Sequence, residues 1–191
     1  MNRRKAIRNI LLAAGVTAVA GTGYKWYSIT KKPHLDELNN YKELLSELAE
    51  TIIPKTNTPG AKDAHVGEFI QKMILDCTDV KAQNKFLYGL QDVEDHCHSR
   101  YGQSFVKCTV PQREETLNYF EQKDKLHSGI IGKVQHKFLG DPFIKTLKDY
   151  TVMGYCTSME GATMGLAYDY VPGPYLADLP LQPGQRSWAT K

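Results

Sequence analysis

The sequence predicts a single all-α domain with an irregular C-terminal arm rich in proline and glycine. Apolar residues recur at intervals of three and four along most of the chain. Strict alternation of apolar and polar residues, typical of strands, is scarce. The 191 residues suffice for one domain and are short for two. We expect about five or six helices, in a domain that covers residues 35–191.

The first two helices of the body are predicted on either side of a loop that contains prolines. Apolar residues at helical spacing form one stripe over residues 35–52. Pro54 cannot continue that helix, and Pro59-Gly60 is a typical turn sequence. A second helix is predicted from about Asp63 or Ala64, with Asp63 as its cap. We interpret the loop as a rigid corner that sets how the two helices pack.

Two further helices are predicted in the middle of the chain. One covers residues 79–101, and Gly102 marks its end because glycine readily adopts the left-handed conformation there. The next opens at Thr109-Val110-Pro111-Gln112, where threonine can cap, proline suits the first turn and glutamine can close a capping box. This helix fades near Lys125.

The last helix follows an ambiguous segment, residues 127–138, in which two glycines weaken an apolar pattern. A helix start is predicted at Asp141-Pro142, with Asp141 as the cap and Pro142 in the first helical position. Its apolar stripe ends near Tyr155. Residues 168–188 then hold four prolines and two glycines, which exclude a long helix. Because this arm is too apolar for a free coil, we expect it to lie on the protein's own helices or on a partner.

The N-terminus has the layout of an export signal. A charged start precedes an uncharged, mildly apolar run over residues 9–24. Ala18-Val19-Ala20 offers a cleavage site of the A-x-A type, in which Ala18 and Ala20 are the small residues. The adjacent Arg3 and Arg4 resemble a twin-arginine signal.

The basic charge of the chain also lies in this leader. Removing the four positive charges of the first eight residues from a net charge of +3 leaves about −1 for the rest. A nucleic-acid-binding protein needs a basic face on the fold itself, so that class is excluded. We assign residues 1–24 to an export signal or N-terminal anchor, and residues 25–34 to a linker. The alternatives for the leader are an uncleaved membrane anchor and the basic start of a soluble helix.

The four cysteines allow three complete disulfide connectivities. Cys97 lies near a helix end and Cys108 follows a loop that can turn back, so this pair is the favoured disulfide. Cys77 and Cys156 are equally well interpreted as free thiols on apolar stripes.

The sequence contains no complete active site. In His96-Cys97-His98, adjacent helical residues point about 100° apart, so the three side chains do not converge on a metal. Haem attachment requires C-x-x-C-H, and position 94 is Glu94. Nucleophile-elbow, dinucleotide-binding and P-loop motifs are absent from the sequence. We therefore predict no catalytic, cofactor-binding or metal-binding residue on this chain.

Three segments together resemble the gluconate 2-dehydrogenase subunit 3 family. They are LAETIIPKTNTPGAKDAHVGEFI at residues 48–70, YTVMGYCTS at 150–158 and AYDYVPGPY at 167–175. Their order and separation make this resemblance more specific than any short motif. It covers most of the chain after residue 35.

The resemblance implies a non-catalytic accessory subunit of an oxidoreductase complex. In this family the small subunit accompanies a large subunit that binds FAD and oxidises a sugar or sugar acid, often with a cytochrome subunit that carries haem c. The implied location is the periplasm or the outer face of the cytoplasmic membrane. The twin-arginine translocase is the implied export partner, and membrane association is expected through the complex or the N-terminus.

The C-terminal arm is then interpreted as a partner-facing surface, although packing on its own helices is an equal alternative. Its candidate residues are Tyr168, Asp169, Pro172, Gly173 and Tyr175. Two other functions remain open at this point: a membrane-tethered structural or interaction protein of the cell envelope, and an independent metalloprotein.

Overall fold

The computed structural model describes residues 30–126, 141–171, 173–174, 178, 180–181 and 183–189. Within these ranges the protein is all-α, which confirms the predicted fold class. The described α-helices are α1 (Lys42–Ile52), α2 (Val66–Asp76), α3 (Val80–Tyr101), α4 (Val110–Leu126) and α5 (Phe143–Thr157). Three shorter turns accompany them: a 3-10 helix at Leu35–Tyr41, a 3-10 turn at Phe105–Lys107 and a π turn at Gly161–Gly165.

The first predicted helix divides into two parts. Residues 35–41 wind as a 3-10 helix, and the α-helix begins only at Lys42. Asn39 and Asn40 lie at this junction, and asparagine favours an α-helix only weakly. The Asn39 side chain instead accepts a hydrogen bond of 2.9 Å from Gln71 Nε2 on α2. The apolar stripe still functions as predicted, because Leu38, at 0% exposed, lies in the core with the leucines of α1.

Helix α2 packs between α1 and α5. The approach to α1 depends on Gly67, since a Cβ atom there would lie only 3.0 Å from the backbone nitrogen of Ser46. Helices α3 and α4 close the other sides of one hydrophobic core. Its fully buried large side chains are Leu38, Leu45, Leu48, Val66, Ile70, Ile74, Phe86, Leu90, Val93, Phe105 and Leu147. Burial of this apolar area is the main driving force for the fold.

Two of the predicted helix ends are confirmed in detail. Gly102 terminates α3 with a φ of 69°, in the left-handed region that glycine adopts without strain. At the start of α4, the backbone N–H of Thr109 donates to Gln112 Oε1 at 2.9 Å, which is the glutamine half of a capping box. Asp79 also caps α3, by accepting from the backbone N–H of Ala82 at 3.0 Å.

The two aspartates predicted as caps do not cap, and both predictions are wrong. α2 starts at Val66, and its N-cap residue His65 has a left-handed φ of 51°. Asp63 instead binds Lys55 Nζ at 3.2 Å and the backbone N–H of Gly60 at 3.3 Å. For α5 the N-cap residue is Pro142, in extended conformation. The Asp141 carboxylate therefore lies one residue too early and pairs with Lys145 at 2.7 Å.

Several sequence-based assignments lie outside the described residues. They are the export signal with Arg3, Arg4, Ala18 and Ala20, most of the 25–34 linker, and the ambiguous segment 127–138. Among the helices that the structure does describe, none combines the length and the apolar character that crossing a membrane requires.

Candidate interaction surface

Helix α5 carries exposed apolar side chains opposite its buried stripe. The predicted stripe is confirmed, with Ile144, Leu147, Thr151 and Tyr155 buried against the core. Val152 and Met153 lie on the other side of the helix and are 50% and 45% exposed. A helix with this arrangement has one face satisfied by the core and a second apolar face still in solvent.

The π turn after α5 continues this exposed apolar surface. The Ser158 hydroxyl accepts a hydrogen bond of 2.9 Å from the backbone N–H of Gly161, which fixes the start of the turn. Met159 and Met164 are 72% and 48% exposed. Methionine is flexible and polarisable, and it suits surfaces that adapt to a partner.

The C-terminal arm is held at its base by its own backbone. The N–H of Ala167 donates to Ser187 O at 2.8 Å, and the N–H of Ala189 donates to Ala167 O at 2.9 Å. The guanidinium of Arg186 adds a hydrogen bond of 2.7 Å to Met164 O. These contacts join both ends of the segment 168–186, so the arm starts and finishes at the same place.

The described tip of this arm projects apolar side chains into solvent. Tyr170, Val171 and Leu181 are 87%, 75% and 84% exposed. The protein's own helices therefore leave these three side chains uncovered, and the alternative of a partner stays a prediction. At its base the arm pairs with itself, where Ala167 forms a parallel β-bridge with Trp188. Large exposed apolar side chains are common at interaction sites.

We define the apolar surface by seven exposed residues within one stretch of 20: Val152, Met153, Met159, Met164, Tyr168, Tyr170 and Val171. Other exposed large apolar residues of the described part lie elsewhere in the sequence, among them Tyr88 on α3, Val110 on α4 and Leu181 in the arm. Isolated exposed apolar residues are normal on protein surfaces, whereas a concentration of them is not.

Charge in the same part of the chain has one sign. Residues 149–178 contain four acidic residues and no lysine or arginine, in a chain with a net charge of +3. Asp149 is paired with Lys145 at 3.0 Å, Glu160 immediately precedes the π turn, and Asp169 and Asp178 lie in the arm. The apolar surface therefore lies within an acidic segment of the chain. Such a surface is complementary to a partner surface that is apolar at its centre and basic around its edge.

The structure places the predicted surface residues unevenly. Tyr168 is 46% exposed, Asp169 is partly buried, and Gly173 is exposed. Pro172 and Tyr175 lie outside the described residues. Sequence reasoning missed Met159 and Met164. Their only sequence signal was that they fall off the helical stripe that ends near Tyr155.

The proline loop between α1 and α2 is a braced corner. The Glu50 carboxylate accepts the backbone N–H groups of Lys55 and Lys62, at 2.9 and 2.8 Å. Gly60 is required there, because a Cβ atom would lie 2.7 Å from the backbone nitrogen of Lys55, besides 2.5 Å from the Glu50 oxygens. The Tyr155 hydroxyl donates to Pro59 O at 2.8 Å, which joins the corner to α5. These contacts fix the conformation of the loop and its position against α5.

A mostly buried ion cluster fastens the corner to α4. The Glu47 side chain is 12% exposed and binds both Lys62 and Arg113. Arg113 is 16% exposed, and its second nitrogen donates to Val106 O. Lys55 pairs with Asp63 at 2.9 Å. Both loop lysines therefore act in ion pairs that hold the corner.

The His96-Cys97-His98 run separates as its helical spacing predicts. The His96 ring stacks on Tyr119 with centroids 4.3 Å apart, and burial together with the nearby Arg100 lowers its pKa. Cys97 points into the core, and His98 is exposed at 3.8 Å from Glu94. In the part of the chain that the structure describes, no group of three or more His, Cys, Asp and Glu side chains could hold a metal ion.

The candidate disulfide partners Cys97 and Cys108 are both buried, as free thiols. Cys108 is close enough to Cys97 to add to the rise in the pKa of its thiol. The predicted disulfide between them stays a prediction. Cys77 is an exposed free thiol and Cys156 a partly buried one.

Comparison with protein families gives one match. Residues 40–173, more than half of the chain, match the family model described as gluconate 2-dehydrogenase subunit 3. This range contains α1 to α5, the π turn and the start of the arm. Neither the comparison with curated proteins nor the comparison with solved structures gives a match.

Proposed function

Because the chain belongs to the gluconate 2-dehydrogenase subunit 3 family, we propose that it is the non-catalytic small subunit of an exported FAD-dependent dehydrogenase complex. The substrate class is a sugar or sugar acid. The subunit assists the export, stability or assembly of the large flavoprotein subunit. In this proposal FAD is bound by the large subunit, and haem c by a cytochrome subunit where one is present.

The observation that carries the proposal is the apolar surface. It exposes Met159 just before the π turn, Met164 within it and two tyrosines on the arm, beside an α-helix that is already anchored in the core. Tyrosine and methionine are enriched at protein interfaces, where aromatic side chains often supply most of the binding energy. A protein whose role is to hold a large subunit needs such a surface more than it needs a pocket.

Export is the second part of the proposal. Arg3 and Arg4 would direct the chain to the twin-arginine translocase, which accepts folded proteins, so that the flavoprotein could travel with its cofactor already bound. The complex would then act in the periplasm or at the outer face of the cytoplasmic membrane. Membrane association would come through the complex or the N-terminus.

The test is co-purification with a flavoprotein. The full chain, with an affinity tag at its C-terminus, is expressed in its native host, and the proteins that elute with it are identified by mass spectrometry. We expect a large oxidoreductase subunit to elute with the tagged chain, with the absorbance of bound FAD and with sugar-dependent reduction of a dye acceptor. Elution of the tagged chain without flavin or large subunit would overturn the proposal.

A matched pair of variants tests the surface itself. Val171→Asp places a charge on the apolar surface at a residue that is 75% exposed, and Val110→Asp makes the same change on α4 at a residue that is 63% exposed. A buried unpaired charge at an interface typically costs several kcal/mol. We expect Val171→Asp to lower recovery of the large subunit at least tenfold, and Val110→Asp to leave it within about twofold. Equal recovery with both variants would show that the large subunit binds elsewhere.

A further inference from the structure

The end of α3 folds back on itself and brings two cysteines to one place. After Gly102 turns the chain, the backbone N–H of Phe105 approaches Glu94 Oε2 at 3.4 Å. Glu94 lies on the same face of α3 as Cys97, three residues earlier. Cys108 follows Phe105 by three residues, so the returning turn carries it to the level of Cys97.

Both thiols are shielded from solvent. Cys97 is 0% exposed and Cys108 is 4% exposed, and both belong to the hydrophobic core. Cys97 Sγ lies 3.6 Å from Thr116 Oγ1 on α4, and the Cys108 thiol donates to Ser104 O at 3.4 Å. The two cysteines are therefore covered by α4 on one side and by the turn on the other.

The environment also suppresses the reactive form of Cys97. Burial raises the pKa of its thiol to about 11; the hydrogen bond with Thr116 opposes this rise, and the neighbouring Cys108 adds to it. Thiol exchange proceeds through the thiolate. A thiol with this pKa is ionised to roughly one part in ten thousand at pH 7.

We propose that Cys97 and Cys108 are a disulfide-forming pair whose redox state is set while the chain folds and is then locked by burial. In the unfolded chain both thiols are open to solvent and only ten residues separate them, so ring closure is easy. In the folded chain neither an oxidant nor a reductant reaches the pair. The folded protein then exists in two forms, dithiol and disulfide, that interconvert only through unfolding.

The chemistry is ordinary thiol–disulfide exchange with a small disulfide such as glutathione disulfide. One cysteine thiolate attacks a sulfur of the oxidant, which forms a mixed disulfide and releases one glutathione thiol. The second cysteine attacks the mixed disulfide, which forms the Cys97–Cys108 bond and releases the second glutathione thiol. The two protons lost by the cysteines are gained by the two released thiols, and the oxidant takes up the electron pair.

The redox state of Cys97 and Cys108 would therefore depend on the compartment in which the chain folded. A chain that folds in a reducing compartment and is exported afterwards keeps both thiols, even in oxidising surroundings. A chain that is exported unfolded acquires the bond. The state of Cys97 and Cys108 in protein isolated from cells separates these two routes, independently of which partner the apolar surface binds.

The experiment uses the full chain with Cys77→Ser and Cys156→Ala, so that Cys97 and Cys108 are the remaining cysteines. One sample is refolded from urea with glutathione disulfide. A second is refolded with excess dithiothreitol, freed of reductant, and then treated with glutathione disulfide either folded or in urea. Free thiols are alkylated and the protein is digested with trypsin, which leaves residues 86–100 and 108–113 as the two peptides that the bond would join.

We expect the linked peptides after oxidative refolding, and oxidation of the folded dithiol form more than tenfold slower than oxidation in urea. The chain that keeps all four cysteines gives an internal reference, because exposed Cys77 should form a mixed disulfide rapidly in the folded protein. Absence of the linked peptides after oxidative refolding would overturn the pairing. Oxidation of the folded form less than tenfold slower would overturn the lock.

Discussion

Replacing Glu50 by glutamine should loosen the corner between α1 and α2 by a predictable amount. The carboxylate accepts two backbone N–H groups, from Lys55 and Lys62, one on each of its oxygens. Glutamine keeps one acceptor oxygen and turns an NH₂ group toward the other donor, so one hydrogen bond is lost and the second is weakened. A hydrogen bond to a charged group is worth about 1.5–3 kcal/mol when shielded from water. Because Lys55 and Lys62 are both exposed, we reduce this to about 0.5–1 kcal/mol for each bond.

One bond lost and the second weakened by about half give an expected decrease of about 0.75–1.5 kcal/mol in the free energy of unfolding for Glu50→Gln, measured by urea denaturation with circular dichroism. Hydrogen exchange should show the amides of Lys55 and Lys62 exchanging faster, with little change in the middle of α3. Glu114→Gln on α4 is the matched control, since Glu114 is exposed and the change should cost less than about 0.5 kcal/mol.

Two outcomes would refute this reasoning. Equal unfolding free energies for Glu50→Gln and Glu114→Gln would mean that the carboxylate does not brace the corner. A loss of stability without faster exchange at the two amides would mean that Glu50 acts through some other contact.

Two further predictions concern pH. Glu121 binds Lys125 and Lys148, and these hydrogen bonds lower the pKa of its carboxyl to about 2. A carboxyl whose pKa is lowered on folding stabilises the fold above its unfolded pKa, so the stability difference between wild type and Glu121→Gln should be full at pH 7 and disappear as the pH falls from about 4.5 to about 2. A difference that persists at pH 2 would contradict it. Burial and Arg100 lower the pKa of His96, which stacks on Tyr119 near Glu115 and Lys123. Because the neutral ring is the form that the fold favours, the unfolding midpoint of wild type should decrease between pH 7 and pH 5 more than that of His96→Phe. An equal decrease for both proteins would contradict it.

The sequence predicted well wherever a local pattern decides the structure. The buried stripes of α1 and α5, the end of α3 at Gly102 and the Gln112 hydrogen bond all depend on residues within a few positions of one another. The two cap predictions failed because each helix starts later than predicted, at Val66 and at Phe143, so neither aspartate is the N-cap residue. Asp63 instead forms an ion pair with Lys55 on the far side of the loop, and Asp141 forms one with Lys145, one turn into the helix.

The candidate surface was predictable only in part, for a different reason. Tyr168 was found because the arm has an unusual composition for a free coil. Met159 and Met164 were not found, because the same residue type fills cores and covers interfaces. Whether a methionine is exposed depends on which neighbouring elements reach it. Helix α5 contacts the π turn, yet Met164 within that turn and Met159 just before it stay 48% and 72% exposed.

Two of the segments that carry the family resemblance, residues 48–70 and 150–158, meet in space, and this gives the corner a role in presenting the apolar surface. Tyr155 of the second segment donates to Pro59 of the first, and a Cβ atom on Gly154 would lie 2.6 Å from the Phe69 ring. Through these contacts one face of α5 packs on the corner and on α2, while Val152 and Met153 are exposed to solvent. A rigid corner therefore fixes how α5 is oriented, and so how the π turn and arm project from it. Variants that loosen the corner, such as Glu50→Gln, should therefore weaken partner binding even though the corner residues are not part of the apolar surface.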